Sequence, residues 1–211
     1  MAKRPKVRMR RPDGPNYTRR PQPKPKEGER APSGRDNVLK IIPLGGNEET
    51  GGRNCSVLQF GRDILIIDLG LQWPLDDMPG VDYIIPDVSY LRGKEKDIRG
   101  VIITHGHMDH TGGVPHLVPL LGNPPIYGSD LTCAMINKKM EDVAPGKKVR
   151  LNTVKSRDRL KLGVFRLEFF ALSHSIPGSL GVVIETPAGR IVHTGDFKLD
   201  LHAHVSNRTD L

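Results

Sequence analysis

A dense cluster of potential metal ligands constrains this chain more than any other feature of its sequence. Three histidines and an aspartate, His105, His107, Asp109 and His110, fall within six residues. They directly follow an apolar run at 100–104 that is typical of a buried strand. Imidazole and carboxylate groups are ligands that suit Zn²⁺. The pattern therefore predicts a metal centre at a strand end and disfavours the alternative, a histidine-rich loop without a metal.

The order of these side chains predicts two neighbouring ion positions. His105 and His107 are two residues apart as the chain leaves the strand, so both can point to one side and hold one ion. The chain then turns into a helix, and Asp109 and His110 at its start can reach a second ion. Gly106 allows the backbone to turn tightly there without a Cβ clash.

Two further candidate ligands come directly after predicted strands later in the chain. His174 follows the strand predicted over 164–172, and Asp196 follows the strand predicted over 190–194. His174 can complete the ligand set of the first ion. Asp196 can lie between both ions, because a carboxylate has two oxygens and can bridge two cations. Taken alone, each would be an ordinary loop residue, so both assignments depend on the first cluster.

From residue 38 onward, strand-like runs outnumber helical segments, which predicts a layered α/β fold. Helices are expected over 112–121 and 130–140. Strands are expected over 38–44, 54–60, 63–68, 100–104, 149–154, 164–172, 181–186 and 190–194. A glycine–arginine pair at 61–62 has hairpin spacing. The two cysteines, Cys55 and Cys133, are too few for a disulfide framework and are expected to be buried thiols.

The net positive charge of the chain comes entirely from its first 37 residues. This segment holds 12 of the 32 basic residues, 4 of the 24 acidic residues and 7 of the 18 prolines, and so accounts for the whole net charge of +8. Such a composition predicts a disordered, extended arm. The arm is either a tether to a polyanion such as RNA or DNA, or a solubilising tail without a dedicated partner.

The sequence carries no sign of membrane insertion or export. It has no apolar run approaching the roughly 18 residues that a membrane span needs. The basic N-terminus is not followed by the apolar stretch of a secretory or twin-arginine signal. We therefore expect a cytoplasmic protein with no membrane partner.

The histidine segment at 105–110 resembles the signature of the metallo-β-lactamase superfamily, and Asp68 resembles the upstream aspartate of that superfamily. Further segments, in the same order, are similar to those of ribonuclease J, the bacterial and archaeal ribonuclease of the β-CASP branch. These segments lie at 68–72, 80–87, 104–107, 174–177 and 193–198. The resemblance extends from about residue 38 to residue 211.

This resemblance implies a two-zinc phosphodiesterase that acts on RNA, both endonucleolytically and from a 5′ end. His105, His107 and His174 would hold one Zn²⁺, Asp109 and His110 the other, and Asp196 would bridge them. The two ions would activate a shared water as the nucleophile, so Asp109 and Asp196 would act catalytically through that water. Ligand type alone leaves Mn²⁺ as an alternative to Zn²⁺.

Two residues have supporting roles under the same resemblance. Asp68 would orient a ligand histidine without binding metal. Asp82 would hold a structural cation such as Ca²⁺, although an acidic loop without an ion is the simpler interpretation.

The resemblance also implies a longer protein. Residues 38–211 would form only the N-terminal half of an αββα sandwich, and a β-CASP domain, another histidine ligand and a C-terminal domain would follow. The chain alone is then expected to be weakly active or inactive, with dimers or tetramers formed by the complete protein. His202 and His204 are expected to be surface residues. The competing hypotheses are a hydrolase of small thioesters or lactams on the same fold, and an inactive RNA-binding fragment.

Overall fold

The protein is represented by a computed structural model that describes residues 38–46 and 51–198. The predicted arm at 1–37 and the two late histidines, His202 and His204, lie outside the described residues. The described strands are β1 Leu39–Gly45, β2 Cys55–Phe60, β3 Asp63–Ile67, β4 Ile98–Ile102, β5 Ile126–Gly128, β6 Leu151–Thr153, β7 Arg159–Leu162, β8 Phe165–Ala171, β9 Leu180–Thr186 and β10 Gly189–His193. The described α-helices are α1 Met108–Thr111, α2 Val114–Leu117 and α3 Asp130–Val143.

The strands form two sheets. The first has the order β1-β2-β3-β4-β5-β6, with β1, β2 and β3 antiparallel and β3 to β6 parallel. The second is antiparallel throughout and has the order β10-β9-β8-β7. The hairpin predicted at 61–62 is confirmed, because Phe60 pairs with Asp63 across it.

The central strand β3 separates two hydrophobic cores. Its side chains alternate between the faces of the sheet, as in any extended strand. Ile64 and Ile66 pack with the helices, and Leu65 and Ile67 pack with the second sheet. All four are essentially inaccessible to solvent, which explains why this run is continuously apolar. The result is a helix layer, a mixed sheet and an antiparallel sheet, in agreement with the predicted α/β class.

The structure corrects the helix predicted over 112–121. Only the four-residue helix α2 lies within that range, and a second four-residue helix, α1, lies before it at Met108–Thr111. They are separated at Gly112 and Gly113, where the chain passes close to the residues after β3. A Cβ atom added to Gly112 would lie 2.5 Å from Leu71 Cβ, and one on Gly113 would lie 2.6 Å from Gly70 O.

Two short strands were not predicted. β5 has three residues, and β7 alternates charged and apolar residues over only four. Such short segments carry little periodicity. The expected buried thiols are confirmed, since Cys55 and Cys133 are 1% and 6% exposed.

The segment that follows β3 is bound along α1 by backbone hydrogen bonds. Leu69 N donates to His110 O at 2.9 Å, and Leu71 N donates to Met108 O at 3.1 Å. Between them lies Gly70, where an added Cβ would stand only 1.7 Å from the carbonyl oxygen of Asp109. A glycine is therefore required at 70 for the two segments to approach one another.

Among the described residues, no helix combines the length and the hydrophobicity that crossing a membrane would require.

We expect Gly70→Ala to destabilise the chain by about 3 kcal/mol, because its Cβ meets backbone that cannot yield. Gly146→Ala is the matched control: its φ is +81° and its Cβ meets nothing within 4 Å, so it should cost only about 1 kcal/mol. Urea denaturation measures both free energies of unfolding. Equal losses in the two variants would contradict the close approach of the chain at Gly70.

Candidate metal centre

The predicted ligands meet because four strands end at one edge of the molecule. β3 and β4 are parallel, so Asp68 and the histidine segment at 105–110 follow their carboxyl ends side by side. β8 and β10 both pair antiparallel with β9 and therefore run in the same direction. His174 and Asp196 follow these two strands. Leu180 N donates to Thr104 O at 2.9 Å and joins the two sheets at this point.

Three histidines form the first potential ligand group. His107 Nδ1 lies 3.0 Å from His105 Nε2 and 3.2 Å from His174 Nε2. The potential donor atoms of all three lie within 4.8 Å of one another. The three residues predicted to hold the first ion are thus brought together, with His105 buried and the other two partly buried.

The second group consists of His105, His110 and Asp196. Asp196 Oδ2 lies 3.6 Å from His110 Nε2 and 3.9 Å from His174 Nε2, so it stands between the two groups. Asp109 belongs to neither group of three, but its Oδ2 is 3.4 Å from His110 Nε2. The structure thus brings all six predicted ligands together and gives His105 a place in both groups.

The donor set fits a divalent cation. Burial, and after it the positive charge of His110, lower the pKa of His105 to about 3, so its imidazole is neutral and retains a lone pair. Nitrogen atoms of three imidazoles face one another at 3.0–3.2 Å, an arrangement that a cation among them would stabilise. Nitrogen and carboxylate donors in this number are the usual ligands of zinc.

Asp68 lies behind the ligands and fixes one of them. Its Oδ2 is 2.7 Å from His110 Nδ1, and its Oδ1 accepts the backbone N–H of Thr104 at 2.8 Å. The ring of His110 is thereby oriented with Nε2 towards the centre. Asp68 contacts a predicted ligand histidine and belongs to neither potential ligand group, and its orienting role stays a prediction.

Asp68 has an uncommon backbone angle and a shifted pKa, and both have causes in its contacts with neighbouring residues. Its φ of +63° is uncommon for a residue with a side chain and is held by a hydrogen bond from its own N–H to Ile102 O. Burial alone would raise the pKa of Asp68, but the facing His110 outweighs it and holds that pKa below its usual value. Burial likewise opposes the charge on His110, yet the carboxylates of Asp68 and Asp109 outweigh it and raise the pKa of His110 to about 10.

Sequence reasoning missed three residues at this centre. Thr104 Oγ1 lies 3.0 Å from both His105 Nδ1 and Asp68 Oδ2 and so connects a ligand ring to the supporting carboxylate. Asn54 and His193 line, with His110 and Asp196, a cavity of about 270 Å³ beside the second group. Burial lowers the pKa of His193. Thr104 could have been found from the sequence because it lies directly beside a predicted ligand segment. Asn54 has no such signal in the sequence.

The structure also describes two residues about which the sequence raised expectations outside the ligand set. Gly106 has no unusual backbone angle, and an added Cβ would lie 2.6 Å from Met135 Sδ on α3, so a side chain at 106 would have to displace this methionine. Asp82 is exposed, and no group of three metal-binding side chains within 38–46 and 51–198 includes it. Its role as a cation ligand stays a prediction.

The comparisons with known proteins agree with this centre. The sequence model of the metallo-beta-lactamase superfamily matches residues 49–202. The chain therefore belongs to the metallo-β-lactamase superfamily, which implies binding of divalent metal ions. The crystal structure of the metallo-beta-lactamase fold protein YhfI from Bacillus subtilis superposes with a TM-score of 0.52 and 20% identity, covering 75% of this chain and 62% of that one. The predicted sandwich fold is thereby confirmed.

Within the superfamily, the chain is similar to ribonuclease J. Ribonuclease J of Thermus thermophilus is 44% identical over 183 residues, which is 83% of this chain and 31% of that protein. Ribonuclease J of Synechocystis sp. is 42% identical over 164 residues, covering 77% of this chain and 26% of the relative. The chain spans at most about a third of the length of these curated relatives.

We expect Asp68→Asn to weaken divalent metal binding by about 10- to 100-fold. The amide would donate a hydrogen bond to His110 Nδ1 and so leave the proton of the ring on Nε2, where it blocks a ligand bond. Competition with a chromophoric chelator measures the affinity. Asp63→Asn is the control, since this carboxylate pairs with Arg99 and accepts from Val164 N away from the centre. Wild-type affinity in Asp68→Asn would rule out this orienting role.

Proposed function

We propose that this chain is part of a metal-dependent ribonuclease that hydrolyses RNA phosphodiesters, both internally and from a 5′ end. The observation that carries the proposal is the meeting of two overlapping groups, one of three histidines and one of two histidines and an aspartate, at the ends of β4, β8 and β10. The similarity to ribonuclease J over four-fifths of the chain supports RNA as the substrate. We propose two Zn²⁺ ions as the cofactor, with Mn²⁺ as the alternative.

The chain itself would hold and orient the cations. His105, His107 and His174 offer nitrogen atoms to one position, and His110, Asp109 and Asp196 offer donors to the other. Thr104 and Asp68 hold the Nδ1 atoms on the opposite sides of two of these rings. Cations bound there would bring the pKa of a water close to neutral and offset the charge that develops on a phosphate.

The exposure of the centre indicates the side from which a phosphodiester would approach. The side chains of His110 and His174 are 3% and 11% exposed, whereas that of Asp196 is 49% exposed. The histidines therefore form the floor of the centre, and Asp196 lies at its open side. An RNA backbone would reach the cations past Asp196.

The proposal extends to the parts of the relatives that this chain does not match. A β-CASP domain and one more histidine ligand would lie in that additional length, so the complete protein would be the active species and the 211 residues alone would be weakly active or inactive. The basic segment at 1–37 would bind RNA phosphates. A cytoplasmic location and a homo-oligomeric state belong to the same proposal.

We expect His107→Ala in the complete protein to abolish RNA cleavage and leave salt-sensitive RNA binding within about threefold. His107 Nδ1 contacts both other histidines of the first group, whereas RNA affinity arises mainly from phosphate neutralisation. Cleavage of a 5′-labelled RNA and filter binding measure the two properties. His116→Ala is the control, because His116 stacks on Tyr83 outside both ligand groups.

Retained cleavage in His107→Ala would overturn the metal assignment. Turnover of thioesters or lactams by the wild type, without cleavage of RNA, would instead indicate the small-substrate hydrolase. RNA binding by a protein that retains no metal would indicate an inactive binding module.

Deletion of residues 1–37 is expected to flatten the salt dependence of RNA binding and leave the rate of the chemical step unchanged. The segment carries 12 basic residues, and each phosphate neutralised on a single strand contributes roughly 0.7 to the slope of log affinity against log salt. Binding titrations at several salt concentrations, together with single-turnover cleavage, measure both properties. An unchanged slope would identify the segment as a tail without a role in RNA binding.

A further inference from the structure

Asn54 is the residue at the centre whose contacts the ligand pattern does not explain. It stands directly before β2, far in sequence from the histidine cluster. Its side-chain nitrogen Nδ2 lies 3.1 Å from His110 Nε2 and 3.2 Å from Asp109 Oδ2. These are the two residues predicted to hold the second ion, and Asn54 touches both.

We propose that Asn54 is a positioning residue for the second metal position, where it fixes the carboxylate of Asp109 and thereby sets the affinity for a divalent cation. This inference rests on the metal centre of the proposed function and deepens it. It does not depend on RNA being the substrate.

The hydrogen-bond chemistry of the amide supports this role. An amide nitrogen carries two N–H groups and can only donate. Two oxygen acceptors are within reach of Nδ2: Gly52 O at 3.1 Å and Asp109 Oδ2 at 3.2 Å. Both N–H groups thus have an oxygen partner, so neither depends on His110 Nε2, the atom that the proposal assigns to the cation.

The backbone around Asn54 makes the position of its side chain rigid. Asn54 N donates to Asp109 O at 2.9 Å, and Asn54 O accepts from Gly70 N at 2.8 Å. Asn54 therefore binds both α1 and the segment after β3. On its other side the amide packs against Gly46, where an added Cβ would lie 2.2 Å from Asn54 Oδ1. A ligand supported by such a fixed donor is already oriented before a cation arrives.

The charge of Asn54 also suits this position. The carboxylates of Asp68, Asp109 and Asp196 all lie next to His110. A lysine or arginine could hold Asp109 by a hydrogen bond, but its positive charge would repel the cation. A neutral amide provides the hydrogen bond without that repulsion.

The test is a calorimetric titration of the metal-free complete protein with Zn²⁺. The metal content after dialysis provides an independent check. We compare the wild type with Asn54→Ala and with Asn54→Leu, which keeps about the same volume but removes the donor. Asn137→Ala is the matched control, since Asn137 is exposed on α3 and donates to Glu141. We expect one of the two binding steps to lose about 10- to 100-fold in affinity in both Asn54 variants, with the other step within about threefold of wild type.

The first metal position serves as an internal control for folding. If both steps weaken equally, or if a variant loses its cooperative thermal transition, Asn54 has only a structural role and the proposal is wrong. Unchanged affinity at both steps would overturn it as well. A wild type that binds no Zn²⁺ would contradict the metal centre itself, whereas a wild type that binds two ions but cleaves no RNA would contradict only the substrate.

Discussion

The hydrogen-bonded contact between Asp68 and His110 is the interaction on which the rest of the centre depends. It connects the end of β3 to α1 at 2.7 Å, in surroundings from which both side chains are almost wholly excluded from water. A buried carboxylate is stable only when it is paired and hydrogen-bonded, and Asp68 also accepts from the N–H and the hydroxyl of Thr104. The Asp68 carboxylate therefore orients His110. It also contacts Thr104, which in turn contacts His105, and it holds the parallel strands β3 and β4 in register at their ends.

Much of the fold could be predicted from the sequence because the central strand β3 is buried on both faces and is therefore continuously apolar. The continuous run Ile64 to Ile67 and the glycine–arginine turn before it predict β3 and its hairpin without any knowledge of the neighbours. The helix predicted over 112–121 failed for the opposite reason. Its two glycines at 112 and 113 are fixed by the segment after β3, and that approach of two distant parts of the chain leaves no mark in local periodicity.

The same division applies to the candidate centre. The histidine cluster could be found from spacing alone, and His174 and Asp196 from their positions after strands. Asn54 could not, because its place beside Asp109 depends on backbone hydrogen bonds between segments 55 residues apart. Thr104 lies directly before the histidine cluster, but a threonine at that position does not by itself indicate a role at the centre. The potential ligands and the supporting Asp68 could thus be predicted from the sequence and its resemblance, whereas Asn54 required the three-dimensional contacts.

The shortness of α1 has a consequence for how the protein folds. A helix of four residues is far below the roughly 12–15 that an isolated helix needs in water, so α1 has no stability of its own. It exists because the segment after β3 and Asn54 bind its backbone, which in turn requires β3 to be paired with β4. Asp109 and His110, which α1 carries, are therefore positioned only when these long-range contacts are in place. Cations that bind Asp109 and His110 would stabilise the folded state and, with it, a helix that cannot exist alone.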